Sequence, residues 1–268
     1  MNVFDLEEYV GRSRAVDVDD LRWDEVARHP LSPEAVRTLR YMQDIESQTI
    51  VYERELARTR AIDEPEVATF LACWLYEETF HGRVIRRFLD AAGHPTPERG
   101  RGRATFSQRL ESAATAMIAR AWPDFVAVHM TWGAINELTT LQGYRRLAEI
   151  ERHPVLDELL GRIMRDEARH FAFYYKHAER RLARPGAARI ARFLIDRFWA
   201  PVGSGVAPAE ETLFMGRHLF GDAEGRAAAR RIDETIRRLP GFADVRLVEA
   251  YVERYLSPIP SCMSPLAA

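Results

Sequence analysis

The chain has only two cysteines in 268 residues, and their positions match neither a disulfide framework nor a cysteine-rich metal motif. No apolar run approaches the ~20 residues that a membrane-spanning helix requires, and the acidic residues 1–9 lack the apolar core of a signal peptide. The formal net charge is only −2, which argues against nucleic acid as a partner. We therefore expect a soluble, cytoplasmic protein that binds neither membranes nor nucleic acid.

Strand-like alternation of apolar and polar residues is also missing over any useful length, whereas helix signals recur along the chain. Ser32 followed by Pro33 is typical of a helix N-terminus, and Gly93 followed by prolines is typical of a helix end. Signals of this kind predict four long helices, over about 33–61, 65–93, 123–152 and 154–184. Further helices are expected over about 187–199, 209–219, 223–238 and 243–256.

The four long helices form two predicted hairpins, with tight turns near residues 62 and 153. Roughly 30 residues join the hairpins, including a shorter helix over about 107–121. A single long crossover between two hairpins is the connection of ferritin-like four-helix bundles. We predict an all-α fold with this bundle over residues 1–186, and with additional helices over 187–268 that pack on the same domain.

Two Glu-x-x-His pairs occur on the second and fourth long helices, at Glu78–His81 and Glu167–His170. About one such pair is expected by chance in a chain with this many Glu and His residues, so a single pair indicates little. In both helices, however, the pair continues the apolar stripe that faces the core, and residues three apart share one helix face. Each pair can therefore present a carboxylate and an imidazole to one point inside the bundle.

An isolated glutamate precedes each pair, Glu46 before the first and Glu137 before the second. Glu46 and Glu78 are about equally far from the first turn, and Glu137 and Glu167 bracket the second turn in the same way. Antiparallel residues equidistant from a turn sit at one height. Burying unpaired carboxylates costs several kcal/mol, so four at one level require cations. The sequence predicts a dinuclear metal site with the ligands Glu46, Glu78, His81, Glu137, Glu167 and His170.

A carboxylate-rich set with one imidazole per metal suits iron or manganese, whereas zinc more often recruits fewer, tetrahedral ligands. Each ion would take one isolated glutamate and the pair that follows it, and Glu78 and Glu167 would bridge the two ions. Glu77 is four residues from His81 but lies off the apolar stripe, so Glu78 is the preferred ligand. The opposing interpretation, that all six residues lie on the surface of a plain bundle, requires their common register to be accidental.

Three neighbours of the ligands are candidates for further roles. Asp166 can accept the second N–H of His81, as outer carboxylates do for metal-bound histidines, or can be a solvated aspartate. Thr140 lies one turn beyond Glu137 and can place a hydroxyl beside bound oxygen, or can bond back to its own helix. Gly133 lies one turn before Glu137 and either leaves space for oxygen or permits close helix packing.

The motifs around the pairs resemble those of a known family, the soluble acyl-carrier-protein desaturases. Residues Glu77–Gly82 resemble its E-E-x-x-H-G signature, residues Asp166–His170 resemble its D-E-x-R-H signature, and Thr140 three residues after Glu137 matches its third-helix pattern. The resemblance covers roughly residues 35–180. It implies a di-iron site that is reduced, binds O2 and abstracts hydrogen from a fatty acyl chain.

The same resemblance implies partners. The acyl chain would arrive on an acidic acyl carrier protein, a ferredoxin-type protein would supply electrons, and the protein would form a homodimer. The arginine-rich segment Arg83–Arg109 would suit either acidic partner, and can otherwise be a solvated loop.

The leading hypothesis is an O2-dependent di-iron oxidase that desaturates a carrier-bound acyl chain, with Thr140 and Asp166 as candidate catalytic residues. The same ligands would serve a hydroxylase or tailoring oxidase on another substrate, and a mixed manganese–iron pair. A non-catalytic ferritin-like metal-storage or oxygen-sensing protein would have a sealed site without a tunnel. A metal-free helical interaction module would bind no metal. Ile163 stands where some related N-oxygenases place an additional histidine, which argues against them.

Overall fold

The computed structural model describes residues 4–50, 56–57, 59–95, 124–204 and 207–256. Regular structure in these ranges is helical, and extended backbone pairs only in an isolated bridge between Ser204 and Ala207. The all-α prediction is confirmed. Within the same ranges, each helix is either too short or too polar to cross a lipid bilayer.

The α-helices of the described ranges are numbered here in chain order. They are α1 Leu6–Arg12, α2 Pro33–Glu46, α3 Pro65–Ala91, α4 Phe125–Glu151, α5 Pro154–Leu182, α6 Pro185–Phe198, α7 Ala209–Phe220, α8 Ala223–Ile236 and α9 Val248–Tyr251. Short 3-10 helices occur at Trp23–Arg28 and Arg60–Asp63, and a π-helical turn at Val252–Leu256 follows α9.

Several helix ends lie where the sequence predicts them. The Ser32 hydroxyl accepts a hydrogen bond from the backbone N–H of Ala35 at 3.0 Å, and Pro33 is the first residue of α2. Gly93 follows α3 with φ of 78°, in the left-handed region that favours glycine. Arg152, with φ of 52°, makes the tight turn between α4 and α5.

The first long helix is interrupted before its predicted end near residue 61. α2 stops at Glu46, the chain turns at Ser47 and Gln48, and helical backbone resumes at Thr49 and Ile50, after which residues 51–55 lie outside the described ranges. Gly82 of α3 lies against this turn, because a Cβ at position 82 would be 2.7 Å from Ser47 Oγ and 3.3 Å from Glu46 Cβ. The glycine that follows His81 therefore lets the end of α2 approach α3 and brings Glu46 to the level of the Glu-x-x-His pair.

The helices pack so that the ligand-bearing faces meet. α2 lies against α3, α4 lies against α5, and α3 also contacts α5. In the C-terminal region α6 packs on α4 and α5, α7 packs on α2 and α4, and α8 packs on α4. The connection between α3 and α4, including the predicted helix over 107–121, lies outside the described residues, so the ferritin-like crossover stays a prediction.

Candidate metal centre

The six predicted ligands lie together in one buried cluster between α2, α3, α4 and α5, and none is more than 6% exposed. They form two overlapping groups, and within each group one ligand atom per residue lies within 4.8 Å of the others. The groups share two carboxylates, and each adds one glutamate and one histidine. The first group is Glu46, Glu78, His81 and Glu167, and the second is Glu78, Glu137, Glu167 and His170.

The shared carboxylates lie between the two histidines. His81 Nδ1 is 3.2 Å from Glu167 Oε1, and His170 Nδ1 is 3.1 Å from Glu78 Oε1. Each imidazole therefore approaches the carboxylate of the opposite Glu-x-x-His pair more closely than that of its own pair, since the distance within a pair is 3.9 Å in both cases. In this crossed arrangement Glu78 and Glu167 are the two carboxylates that belong to both groups, and their role as bridges stays a prediction.

Unsatisfied polar atoms converge on the centre of the cluster. Nδ1 of both histidines and both oxygens of Glu167 are buried without a hydrogen-bond partner among the described residues. Each buried polar group left in this way costs about 1–3 kcal/mol. Imidazole nitrogen and carboxylate oxygen are ligands for divalent transition-metal ions, so metal ions held by the two overlapping groups would satisfy these four atoms. The cluster can bind metal ions.

Electrostatics favour positive charge at the same point. Burial raises the pKa of Glu46 well above its ordinary value, and the neighbouring Glu78 raises it further. Burial also raises the pKa of Glu137. Burial lowers the pKa of His81, but Asp166 and the ligand carboxylates outweigh it and raise that pKa to about 10. Without a metal ion Glu46, Glu137 and the two histidines thus hold protons more tightly than usual, whereas the histidines keep the pKa of Glu167 low; a metal ion would displace those protons.

A carboxylate holds each histidine from behind. His81 Nε2 is 3.1 Å from Asp166 Oδ2, and His170 Nε2 is 2.7 Å from Glu77 Oε2. Each carboxylate favours a proton on Nε2 and so leaves Nδ1 free as a ligand. The Asp166 contact is the one expected from the sequence. Glu77, considered there only as a competing ligand, is instead the matching partner of His170.

Two further residues complete this outer layer. The Tyr9 hydroxyl donates to Glu77 Oε2 at 2.7 Å, and Arg169 Nη2 donates to Glu77 Oε1 at 2.9 Å. Arg169 also lies 2.8 Å from Asp166, so one guanidinium joins the carboxylates behind both histidines. Burial raises the pKa of Glu77, but the hydrogen bonds and charges of His170, Tyr9 and Arg169 outweigh it and lower that pKa to about 2. Tyr9 is 68 positions from Glu77, so no local pattern in the sequence identifies it.

The two glutamates that are not shared each accept a hydrogen bond from an aromatic side chain. The Tyr144 hydroxyl donates to Glu46 Oε1, and the Trp74 Nε1–H donates to Glu137 Oε1 at 3.1 Å. Both aromatic residues lie on apolar stripes, where the sequence pattern indicates only core packing. Their polar contacts with the ligands depend on the tertiary structure.

An apolar cavity adjoins the cluster at Glu46. It contains about 690 Å³ of atom-free space counted out to its open mouth, and its surface is almost entirely apolar. Among the described residues of its lining, Glu46 alone is charged, and Thr140 and Tyr144 lie on the same side. The opposite wall comes from the C-terminal region, with Trp199, Val202, Met215, Leu219, Tyr251 and Leu256 among its residues.

The structure gives different surroundings to Thr140 and Gly133, the two candidate residues that lie on α4. Thr140 lies on the cavity wall together with Glu46, and its catalytic role stays a prediction. The space beside Gly133 is filled, because a Cβ there would lie 2.3 Å from the Tyr174 ring. Helix packing, and not room for oxygen, accounts for this glycine.

Part of the arginine-rich segment is described. The Arg87 guanidinium lies 4.1 Å from the centre of the Trp23 ring, and that of Arg83 lies 5.0 Å from the Phe80 ring. These contacts fix the start of the segment along α3. The remainder, residues 96–109, lies outside the described residues.

Comparisons of the chain with protein-family models, with curated protein sequences and with solved structures gave no match.

Proposed function

We propose that the protein is an O2-dependent di-iron oxidase that acts on an unactivated C–H bond of an apolar chain. The observation that carries this proposal is that Glu46 belongs both to the overlapping carboxylate–histidine groups and to the wall of an apolar cavity. Two iron ions, when bound, supply the oxidising power that such a bond requires. A mixed manganese–iron pair fits the same ligands.

Each of the two overlapping groups would hold one ion, and the residues common to both groups would serve both ions. These common residues are Glu78 and Glu167. The cavity-side ion would be held by Glu46 and His81 in addition, and the other ion by Glu137 and His170. Each histidine would use Nδ1, the nitrogen that has no hydrogen-bond partner among the described residues.

The residues around the ligands keep them in place. Asp166 and Glu77 hold the protons on Nε2 of the histidines and so orient both rings. Thr140 can offer a hydroxyl where the substrate reaches the centre, and this supports its role as a candidate catalytic residue.

The cavity supports an apolar substrate with its polar group kept outside. Its described lining offers no cationic side chain to neutralise a free carboxylate, so burying a carboxylate among these apolar walls would be costly. An acyl chain whose carboxyl group is esterified to a carrier satisfies both conditions. Together with the motif resemblance, this favours desaturation of an acyl chain on an acyl carrier protein, with a ferredoxin-type electron donor and a homodimeric assembly.

The cavity also favours an oxidase over a metal-storage protein. Storage requires metal ligands and a path for ions, whereas an almost wholly apolar cavity offers ions no coordination along its walls. Buried outer hydrogen bonds to both histidines likewise fit a centre whose geometry must be fixed.

Metal analysis of the purified protein is the first test, with two iron ions per chain expected. The iron-loaded protein is then reduced without oxygen and exposed to O2 together with acyl-carrier substrates, and the acyl chains are examined by mass spectrometry. Loss of two hydrogens is expected, and gain of one oxygen would make the protein a hydroxylase. Absence of bound metal, or of any oxidised product, would overturn the proposal.

A pair of neighbouring threonines provides a matched control for the turnover assay. Thr139 and Thr140 both line the cavity, but the Thr139 hydroxyl bonds back to the carbonyl of Ile135 at 2.7 Å. Thr140→Val is expected to lower product formation, whereas Thr139→Val is expected to leave it unchanged. Equal effects of the two substitutions would remove Thr140 from the proposed catalytic machinery.

A further inference from the structure

The unshared glutamates are held differently from Glu167. Both oxygens of Glu167 lack a hydrogen-bond partner among the described residues, whereas Glu46 and Glu137 each accept one hydrogen bond from an aromatic donor. A carboxylate has two oxygens, so one donor per carboxylate leaves the second oxygen for a metal ion. The two halves of the centre thus have separate supports.

Core packing alone does not explain why residue 144 is a tyrosine, whereas a hydrogen bond to Glu46 does. Its side chain is fully buried, its hydroxyl reaches Glu46 across 98 positions of sequence, and its ring lines the apolar cavity. Phenylalanine would fill the same space and bury no hydroxyl, so packing alone gives no reason for a tyrosine here. The hydroxyl matters because of the carboxylate that it contacts.

Glu46 depends on such a support because of its position. It is the last residue of α2, and the chain turns at Ser47 directly after it. Glu137, in contrast, lies in the middle of α4, with regular helix on both sides. A hydrogen bond between a hydroxyl and a buried carboxylate is of the stronger, charge-assisted kind. The orientation of Glu46 therefore relies on Tyr144.

We infer that Tyr144 is a positioning residue for the cavity-side metal ion, acting through Glu46, and that Trp74 has the matching role for the other ion through Glu137. The inference rests on the proposed two-metal centre. In addition, the metal affinity of each half is set by the aromatic side chain that donates a hydrogen bond to the unshared glutamate of that half. Tyr144 also lines the cavity beside Glu46.

Metal titration separates the two roles. Mn(II) or Fe(II) is titrated into the metal-free protein without oxygen and followed by calorimetry, and Co(II) absorption reports the ligand geometry of each ion. Tyr144→Phe is expected to weaken one of two binding events by about 10–100-fold, the range for outer partners of metal ligands, and to change the Co(II) spectrum of that ion only. Trp74→Phe is expected to weaken the other event.

Site-isolating variants assign each event to a half. Glu137→Gln weakens the second site and leaves the cavity-side site to be measured, and Glu46→Gln does the reverse. Tyr144→Phe should lower affinity in the Glu137→Gln background and leave it unchanged in the Glu46→Gln background, with the opposite pattern for Trp74→Phe. A purely structural role for the hydroxyl would produce the same change in both backgrounds.

The outcomes distinguish this inference from the proposed function. If the wild-type protein binds two ions and Tyr144→Phe binds both equally well, the inference is wrong while the metal centre stands. If the wild-type protein binds no metal, the proposed function itself is wrong. Circular dichroism of the metal-free variants checks that they fold. Should Tyr144→Phe not fold, the Trp74→Phe cycle with Glu137 still tests whether each half has its own donor.

Discussion

The two halves of the metal centre have the same kinds of ligand and opposite surroundings. Beside Glu46 lies an apolar cavity that ends at the ligand. Beside His170 the space is packed with aromatic rings, with the Tyr9 and Phe70 ring centres 6.3 and 6.2 Å from that of His170. Phe70 is stacked on Phe173 at 3.6 Å, which closes that side.

The difference comes from the segments outside the ligand-bearing helices. The N-terminal helix α1 brings Tyr9 against one half, whereas the C-terminal helices form the far wall of the cavity beside the other half. A repeated ligand pattern therefore does not produce two equivalent sites. Packing decides which half adjoins open space, and among the described residues the half with Glu46 lines the apolar cavity.

The largest effect is expected where the halves share a ligand. Glu167→Gln removes a charged ligand from both groups, so it should weaken both metal-binding events by more than the ~10–100-fold that outer partners contribute. Glu46→Gln should weaken one event only. Both are measured by calorimetric titration with Mn(II) in the absence of oxygen. Loss of both ions in Glu46→Gln would show that the halves are not separable.

Substitutions at two glycines of α4, Gly133 and Gly143, test how tightly each half is packed. A Cβ on Gly133 would lie 2.3 Å from the Tyr174 ring, whereas a Cβ on Gly143 would meet Leu219 and Met42 at 3.5 and 3.7 Å, ordinary contact distances. Gly133→Ala should therefore destabilise the protein by about 1–3 kcal/mol through overpacking. Gly143→Ala should be neutral or stabilise it by up to about 1 kcal/mol through helix propensity.

Urea unfolding of the metal-free proteins measures this pair. If Gly133→Ala were as stable as the wild-type protein, the half around His170 would have unfilled space for a methyl group. The contrast between a packed half and an open half would then be wrong.

The carboxylates behind the histidines, Glu77 for His170 and Asp166 for His81, also differ between the two halves. Glu77 is completely buried and accepts hydrogen bonds from His170, Tyr9 and Arg169, whereas the Asp166 side chain is 12% exposed. Glu77→Gln should therefore weaken metal binding at its half by close to ~100-fold and Asp166→Asn at the other half by close to ~10-fold. Metal titration measures both. Equal losses at both ions from either variant would indicate that Arg169 couples the halves.

The smallest expected effect is on the pH dependence of stability, and it comes from His177, a histidine near the packed half that contains His170. His177 is stacked on Phe173 at 4.1 Å, and burial together with Arg181 lowers its pKa to about 4. Between the ordinary histidine pKa of about 6.5 and this value, the unfolded chain binds a proton that the folded chain does not. Stability should fall with decreasing pH across this window, by at most about 1.4 kcal/mol per pH unit.

His177→Gln should remove this contribution, so that the free energy of unfolding falls less steeply between about pH 6.5 and pH 4. Urea unfolding at several pH values measures the slope. An unchanged slope in the variant would show that other groups cause the acid sensitivity.

Much of the fold could be predicted because its signals are local. Ser32 and Pro33 start α2, and Gly93 follows α3, since hydrogen bonding and backbone geometry at these positions depend on neighbours in sequence. The early end of α2 at Glu46 could not be predicted in this way. It depends on the fit of Ser47 against Gly82, which are close only after α2 and α3 have packed.

The sequence by itself determined which six carboxylate and histidine side chains meet, because helix periodicity fixes which residues share a face and distance from a turn fixes their height. It placed all six ligands in one cluster without reference to the rest of the chain. Only the tertiary structure decided what surrounds that cluster: Glu77 behind His170, Tyr144 on Glu46, and an apolar cavity beside Glu46. These contacts join segments far apart in sequence, and their geometry is set by packing, which no local pattern encodes.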